Sequence, residues 1–118
     1  VEKRQKNFFL LAKAIYACTN KYYPVMYDHM DLVSNFAVPI VCKTTKVRDD
    51  LVKRCEGIVE IRPIVGGNMI EQPFFRKYVK NGINNCLNAK LIHEQGLYFG
   101  NNPELTNKEI KTLISIFL

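Results

Sequence analysis
The apolar run Phe36-Ala37-Val38-Pro39-Ile40-Val41-Cys42 has the composition of a β-strand, and a proline stands at its centre. Proline has no amide hydrogen to give to a ladder. A strand built on this run must therefore lie at a sheet edge, or the sheet must bulge at Pro39. The patterns on either side are mostly helical, so the run points to a small sheet covered by helices.

In residues 3–18, Phe8, Leu11, Ala12 and Ile15 recur at i, i+3, i+4, i+7, while Lys3, Lys6 and Lys13 fall elsewhere, which predicts a helix. Residues 19–35 read as a polar, irregular connection broken by Pro24 and carrying the pair Tyr22-Tyr23. Thr45 is placed to cap a helix through Val47, Leu51, Val52 and Cys55, with Gly57 as its αL terminator. Ile58–Arg62 is the next strand, with Val59 and Ile61 on one face. Pro73–Lys80 and Leu87–Glu94 are short helix candidates, the first amphipathic, and Gly96–Gly100 is a short apolar strand.

Thr106-Asn107-Lys108-Glu109 is a capping box, with Leu105 and Ile110 placed as a hydrophobic staple and Ile110, Leu113, Ile114 and Phe117 as one core stripe. The expected fold class is α/β (α+β): a single domain over 1–118, with a sheet of about three or four strands and helices packed on it. Irregular connections argue against a doubly wound nucleotide fold. Gly66-Gly67 is neither a GxGxxG nor a P-loop.

Seventeen Lys and Arg against eleven Asp and Glu give a net charge of +6 across 118 residues. The positive residues are scattered and interrupted by acids, which is the pattern of solvated helix faces and not of a nucleic-acid surface. No apolar run approaches the roughly 20 residues that span a bilayer. The expected partners therefore include no membrane and no nucleic acid. The sequence starts at Val1, not Met, and is expected to be a piece of a longer protein. Cys18, Cys42, Cys55 and Cys86 form no CxxC pair, and His29 and His93 fall in no zinc-ligand spacing. They read as buried free thiols of a reducing compartment, the cytoplasm, with no metal expected.

Chemistry is sparse. Ser34 and Ser115 lie in no nucleophile-elbow context, His93 and Glu94 are adjacent and point apart on a helix, and no lysine sits in a clear apolar pocket. No catalytic residue is assigned. The stretch Glu60-Ile61-Arg62-Pro63-Ile64-Val65-Gly66-Gly67-Asn68 is different. An Arg at a strand end, held by Pro63, can clamp a phosphate or carboxylate with its planar fork. Gly66-Gly67 lets backbone approach a ligand closely. Asn68 offers both donor and acceptor. The alternative is a structural salt bridge for Arg62 and a glycine turn capped by Asn68. His93 is either a helix-end histidine or a ligand contact.

These residues resemble the small-domain motif of the DegT/DnrJ/EryC1/StrS sugar aminotransferases: Glu60-Ile61-Arg62-Pro63, then Gly67-Asn68, then Gln72-Pro73. Further likenesses follow in order, at Glu2–Phe8, Phe36–Ile40, Asn88–Gly100 and Asn102–Ile110. The resemblance implies the small domain of a fold-type I enzyme of pyridoxal 5′-phosphate (PLP), with no cofactor expected on this chain alone. The lysine that tethers PLP, and the Asp that pairs with its ring nitrogen, would belong to a large PLP-binding domain of the same parent chain. It further implies a homodimer, a nucleotide-sugar substrate, and Arg62, Gly67, Asn68 and His93 facing substrate or cofactor. The implied reaction is amino transfer from glutamate to a keto sugar in deoxyamino-sugar or lipopolysaccharide biosynthesis. A dehydrase branch, with His in place of that Lys, resembles the chain equally well. A free-standing, non-catalytic α/β binding module is the competing reading.

Overall fold
The computed structural model describes residues 1–64, 68–79 and 86–118. Among them run α1 (Glu2–Ile15), β1 (Tyr22–Tyr23), β2 (Ala37–Cys42), α2 (Thr45–Cys55), β3 (Ile61–Pro63), a 3-10 turn (Met69–Glu71), α3 (Pro73–Tyr78), α4 (Leu87–Gln95), β4 (Gly96–Gly100) and α5 (Asn107–Phe117). The strands form an antiparallel sheet in the order β1-β2-β4-β3. A small sheet carrying helices is the expected fold class.

β2 lies inside the sheet, which corrects the expectation of an edge strand, and the reason is local. Pro39 stands opposite Tyr98 of β4. The bond from Asn101 N to Phe36 O, 2.7 Å, sets the register. Even-numbered residues of β2 then bond to β4, and Pro39 faces the other way. On that side β1 pairs only with Cys42 and Val41, so it stops before reaching Pro39. The proline carbonyl accepts instead from the Tyr16 hydroxyl at 2.8 Å. The missing donor thus falls where no strand asks for one.

Alternation in β2 buries Val38, Ile40 and Cys42, and in β4 it buries Leu97 and Phe99. This face joins Phe8, Leu11, Ala12 and Ile15 of α1, Leu51 and Cys55 of α2, and Ile110, Leu113 and Phe117 of α5 in one core. Phe99 and Phe117 stack with centroids 4.9 Å apart. The α5 stripe is core, as expected, and the capping box forms: Glu109 N donates to Thr106 Oγ1 and Thr106 N donates to Glu109 Oε2.

Several boundaries move. α1 ends at Ile15, because the Cys18 carbonyl accepts from both Lys21 N and Tyr22 N, at 3.0 Å each, in a turn that launches β1. β1 itself, inside the supposed irregular connection, is only two residues long and gives no pattern to read. Thr44, not Thr45, caps α2, its Oγ1 accepting from Val47 N at 3.2 Å. Gly57 ends that helix at φ +76°, the left-handed conformation expected of it. β3 starts at Ile61 instead of Ile58, since the amides of Ile58 and Val59 both return to the Cys55 carbonyl. α3 runs from Pro73 to Tyr78, and among its described residues Phe75 is half-buried and the rest exposed. Cys42 and Cys55 are buried thiols, Cys18 is half-buried, and Cys86 is exposed, contrary to the expectation of burial. Cys86 precedes α4, which buries no residue of its own and so draws nothing under cover.

α4 passes into β4 without a connecting residue. At the junction, a Cβ on Gly96 would lie 2.3 Å from the Ile92 carbonyl oxygen and 2.8 Å from Ile64 Cδ1, so only glycine fits there.

Two measurements test this packing. Buried Tyr22 donates its hydroxyl to the Phe117 carbonyl at 2.7 Å. Tyr22→Phe should lower the unfolding free energy by about 1 kcal/mol in urea titrations, the usual net loss for such a bond. Burial also pushes the Cys42 thiol from 9.0 up to about 11 and the Tyr22 hydroxyl from 10.0 up to about 12. Folding favours the neutral forms of both groups, so their contribution is complete below about pH 9. It should be lost as pH rises from 9 to 12, which denaturant midpoints across that range will show, with a smaller loss in Tyr22→Phe.

Candidate functional site
β3 is one of the two outer strands of the sheet, and Arg62 on it stands opposite Tyr98 of β4. Tyr98 lies between buried Leu97 and Phe99, so alternation turns it to the face not covered by α1, α2 and α5. Phe36, just before β2, is 74% exposed. Together with Ile58, Glu60 and Lys108 these side chains line an open groove of about 840 Å³ that runs from the uncovered face to the first turns of α5. A second cavity of about 300 Å³ shares Phe36 and Tyr98 and adds Pro39 and Ile64.

The groove is mixed in chemistry. Ile58, 65% exposed, and Phe36 give it an apolar lip. Arg62 Nε donates to Glu60 Oε1 at 2.9 Å, and its Nη2 reaches the same oxygen. That hydrogen bond, then the Glu60 charge, then Tyr98 hold the guanidinium further above its ordinary pKa. The pair is exposed, 61% for Arg62 and 75% for Glu60, so water competes for both partners and it contributes little to stability. Arg62 is therefore poised in two ways at once: it has its structural carboxylate, and it remains open to solvent.

The structure does not gather the other expected residues around Arg62. Gly67 lies outside the described residues. Asn68 is buried before the 3-10 turn, makes no side-chain cap to it, and its Oδ1 has no hydrogen-bond partner among the described residues. His93 is half-buried in the last turn of α4, its Nδ1 without a partner among the described residues, and it is not among the residues lining the groove. Conversely, Phe36, Ile58, Tyr98 and Lys108 belong to the groove without having been singled out. Tyr98 was within reach of the alternation rule, because it follows one buried strand residue and precedes another. Phe36 and Lys108 were not, since their place depends on how distant segments meet.

Among the described residues no group of three His, Cys, Asp or Glu side chains could hold a metal ion. No helix among the described residues is long and apolar enough to cross a membrane. The groove's cations are Arg62, already neutralised by Glu60, and Lys108 on the first turn of α5. An open wall of this kind does not by itself fit PLP, which needs an enclosed phosphate site and a lysine at its aldehyde.

The Glu60–Arg62 pair generates a prediction. Glu60→Gln should leave the thermal midpoint of the chain unchanged, while a buried partner would not tolerate the change. Differential scanning calorimetry of the two proteins is sufficient to check it.

No protein-family model matches the chain. The chain is 31% identical over 121 residues to the lipopolysaccharide biosynthesis protein RfbH of Salmonella typhimurium (strain LT2), an alignment that covers 99% of this chain and 28% of that protein. Its fold matches a crystal structure of GDP-4-keto-6-deoxymannose-3-dehydratase, which holds a trapped PLP–glutamate geminal diamine. The TM-score is 0.77 at 24% identity, over 99% of this chain and 31% of the other. The chain thus spans less than a third of the length of either relative.

Proposed function
We infer that this chain, a small domain of the DegT/DnrJ/EryC1/StrS family, forms the C-terminal part of a PLP-dependent enzyme that modifies nucleotide-linked sugars, as a transaminase of deoxyamino-sugar or lipopolysaccharide biosynthesis. The observation that carries this reading is the alignment itself. Thirty-one per cent identity runs across 99% of the chain, yet takes in only 28% of a lipopolysaccharide biosynthesis protein. The ordered likenesses from Glu2 to Ile110 support the same reading.

On this reading the remainder of the enzyme is a large domain that holds PLP, and the cofactor's electron-sink chemistry belongs there. The small domain contributes surface and charge. Phe36 and Ile58 are exposed apolar groups of the size that domain interfaces cover. Arg62 exchanges Glu60 for a phosphate or carboxylate of the substrate, using the same planar fork for either partner. Gly67, Asn68 and His93 are proposed as substrate- or cofactor-facing once the two domains close. A cytoplasmic homodimer is the proposed assembly.

A second reading is supported by one finding: a solved structure that this fold matches is a 3-dehydratase. The same domain would then serve replacement of a sugar C3 hydroxyl by hydrogen: the oxygen leaves as water, the two electrons come from glutamate as it becomes 2-oxoglutarate, and its nitrogen is released as ammonia instead of staying on the sugar. The full-length enzyme, incubated with L-glutamate and a nucleotide-linked 4-keto-6-deoxysugar, decides between them. One 2-oxoglutarate for each amino sugar identifies the transaminase. A 3-deoxy product without amino sugar identifies the dehydratase. Neither product, with no PLP absorbance in the purified enzyme, would leave a non-catalytic binding module.

In that full-length enzyme Arg62→Ala should reduce kcat/KM by about tenfold or more, the usual scale for a lost charged contact, with the melting temperature preserved. Unchanged kinetics with a lowered melting temperature would make Arg62 structural.

A further inference from the structure
Asn101 follows β4 directly and is 1% exposed. Its Nδ2 donates to the Arg4 carbonyl and to the Asn35 carbonyl, each at 3.0 Å. Its backbone N–H donates to the Phe36 carbonyl at 2.7 Å. One residue therefore ties the first turn of α1 to two successive carbonyls leading into β2. From the neighbouring turn of α1, Asn7 Nδ2 reaches the Asn102 carbonyl at 3.3 Å, so the helix grips this corner twice.

The grip has an unfavourable component. Asn101 Oδ1 is buried with no hydrogen-bond partner among the described residues. A half-satisfied amide in a dry site costs more than an apolar group would. An arrangement like this persists where the satisfied half does something a hydrocarbon cannot. Here the satisfied half fixes backbone whose own side chain has little to hold it: Phe36 is largely exposed, yet it lines both cavities on the uncovered face.

We propose that Asn101 is a positioning residue for the Phe36 ring, clamping Asn35–Phe36 to α1 so that the ring stands as a fixed wall of the groove beside Tyr98. The geometry selects Asn. Aspartate would bring an oxygen against two carbonyl oxygens, and serine is too short to span both. The assignment holds whatever molecule or domain fills the groove.

The chain has no tryptophan, so Phe36→Trp supplies a single fluorophore at the wall. In that background Asn101→Ala and Asn101→Asp are compared with Thr44→Ala, which removes the α2 cap. Both Asn101 variants should lower the tryptophan anisotropy and speed exchange of the residue-101 amide by about tenfold, since that amide reports the Phe36 carbonyl. Thr44→Ala should change neither. In the unsubstituted chain the Asn101 amide should exchange as slowly as the β4 amides. This measurement decides the matter even if a variant does not fold. Exchange at the rate of an open loop, unchanged anisotropy in both Asn101 variants, or an equal drop in Thr44→Ala would overturn the proposal.

Discussion
The seam between α5 and the sheet is what the rest of the molecule rests on. A helix end leaves its last carbonyls without partners, and in α5 side chains from elsewhere supply them. Tyr22 of β1 donates to Phe117, Lys21 to Leu118 and Arg54 of α2 to Ile116. The two cations also meet the negative end of the helix dipole. On its inner side Phe117 stacks on Phe99. Strand, helix and turn are thereby fastened to one terminus. β1 exists as a strand largely because Tyr22 is held there, and β1 in turn supplies the pairing for the far half of β2.

The covered and uncovered faces of the sheet then divide the labour. Three helices pack one face; on the other, Ala37, Pro39, Val41 and Tyr98 are half-buried and Arg62 is exposed. A sheet face that is neither polar nor fully covered is expected to meet something beyond the chain. Among the polar groups there, Arg62 is paired with Glu60. The groove thus presents an exposed ion pair beside exposed apolar side chains.

Much of this was legible in the order of residues, and the exceptions have physical causes. The capping box at Thr106–Glu109 and the α5 stripe are local signals, complete within four and eight residues, and both appear as read. Gly57 is likewise a one-residue signal. Pro39 announced a missing donor correctly, but periodicity does not reveal that a neighbouring strand stops short of it. The 58–62 run has strand composition throughout, yet its first two amides are taken by the end of α2, a competition that strand propensity does not register. For the site, Arg62 stood out because its sequence neighbours constrain it. Phe36 and Lys108 reach the same groove from points far apart in the chain. Asn68 and His93 were read from motif and residue type, and neither of those fixes the direction in which a side chain is buried.

The absence of any spacer between α4 and β4 carries its own consequence. Gly96 is pressed against the Ile92 carbonyl and against Ile64, so the turn from helix to strand has no slack to absorb displacement. Tyr98 is two residues further on, and Gln95, the last residue of α4, bonds through Nε2 to Thr45 of α2 at 3.0 Å. The direction of α4 and the place of Tyr98 are thus set by one backbone junction that only a glycine can occupy.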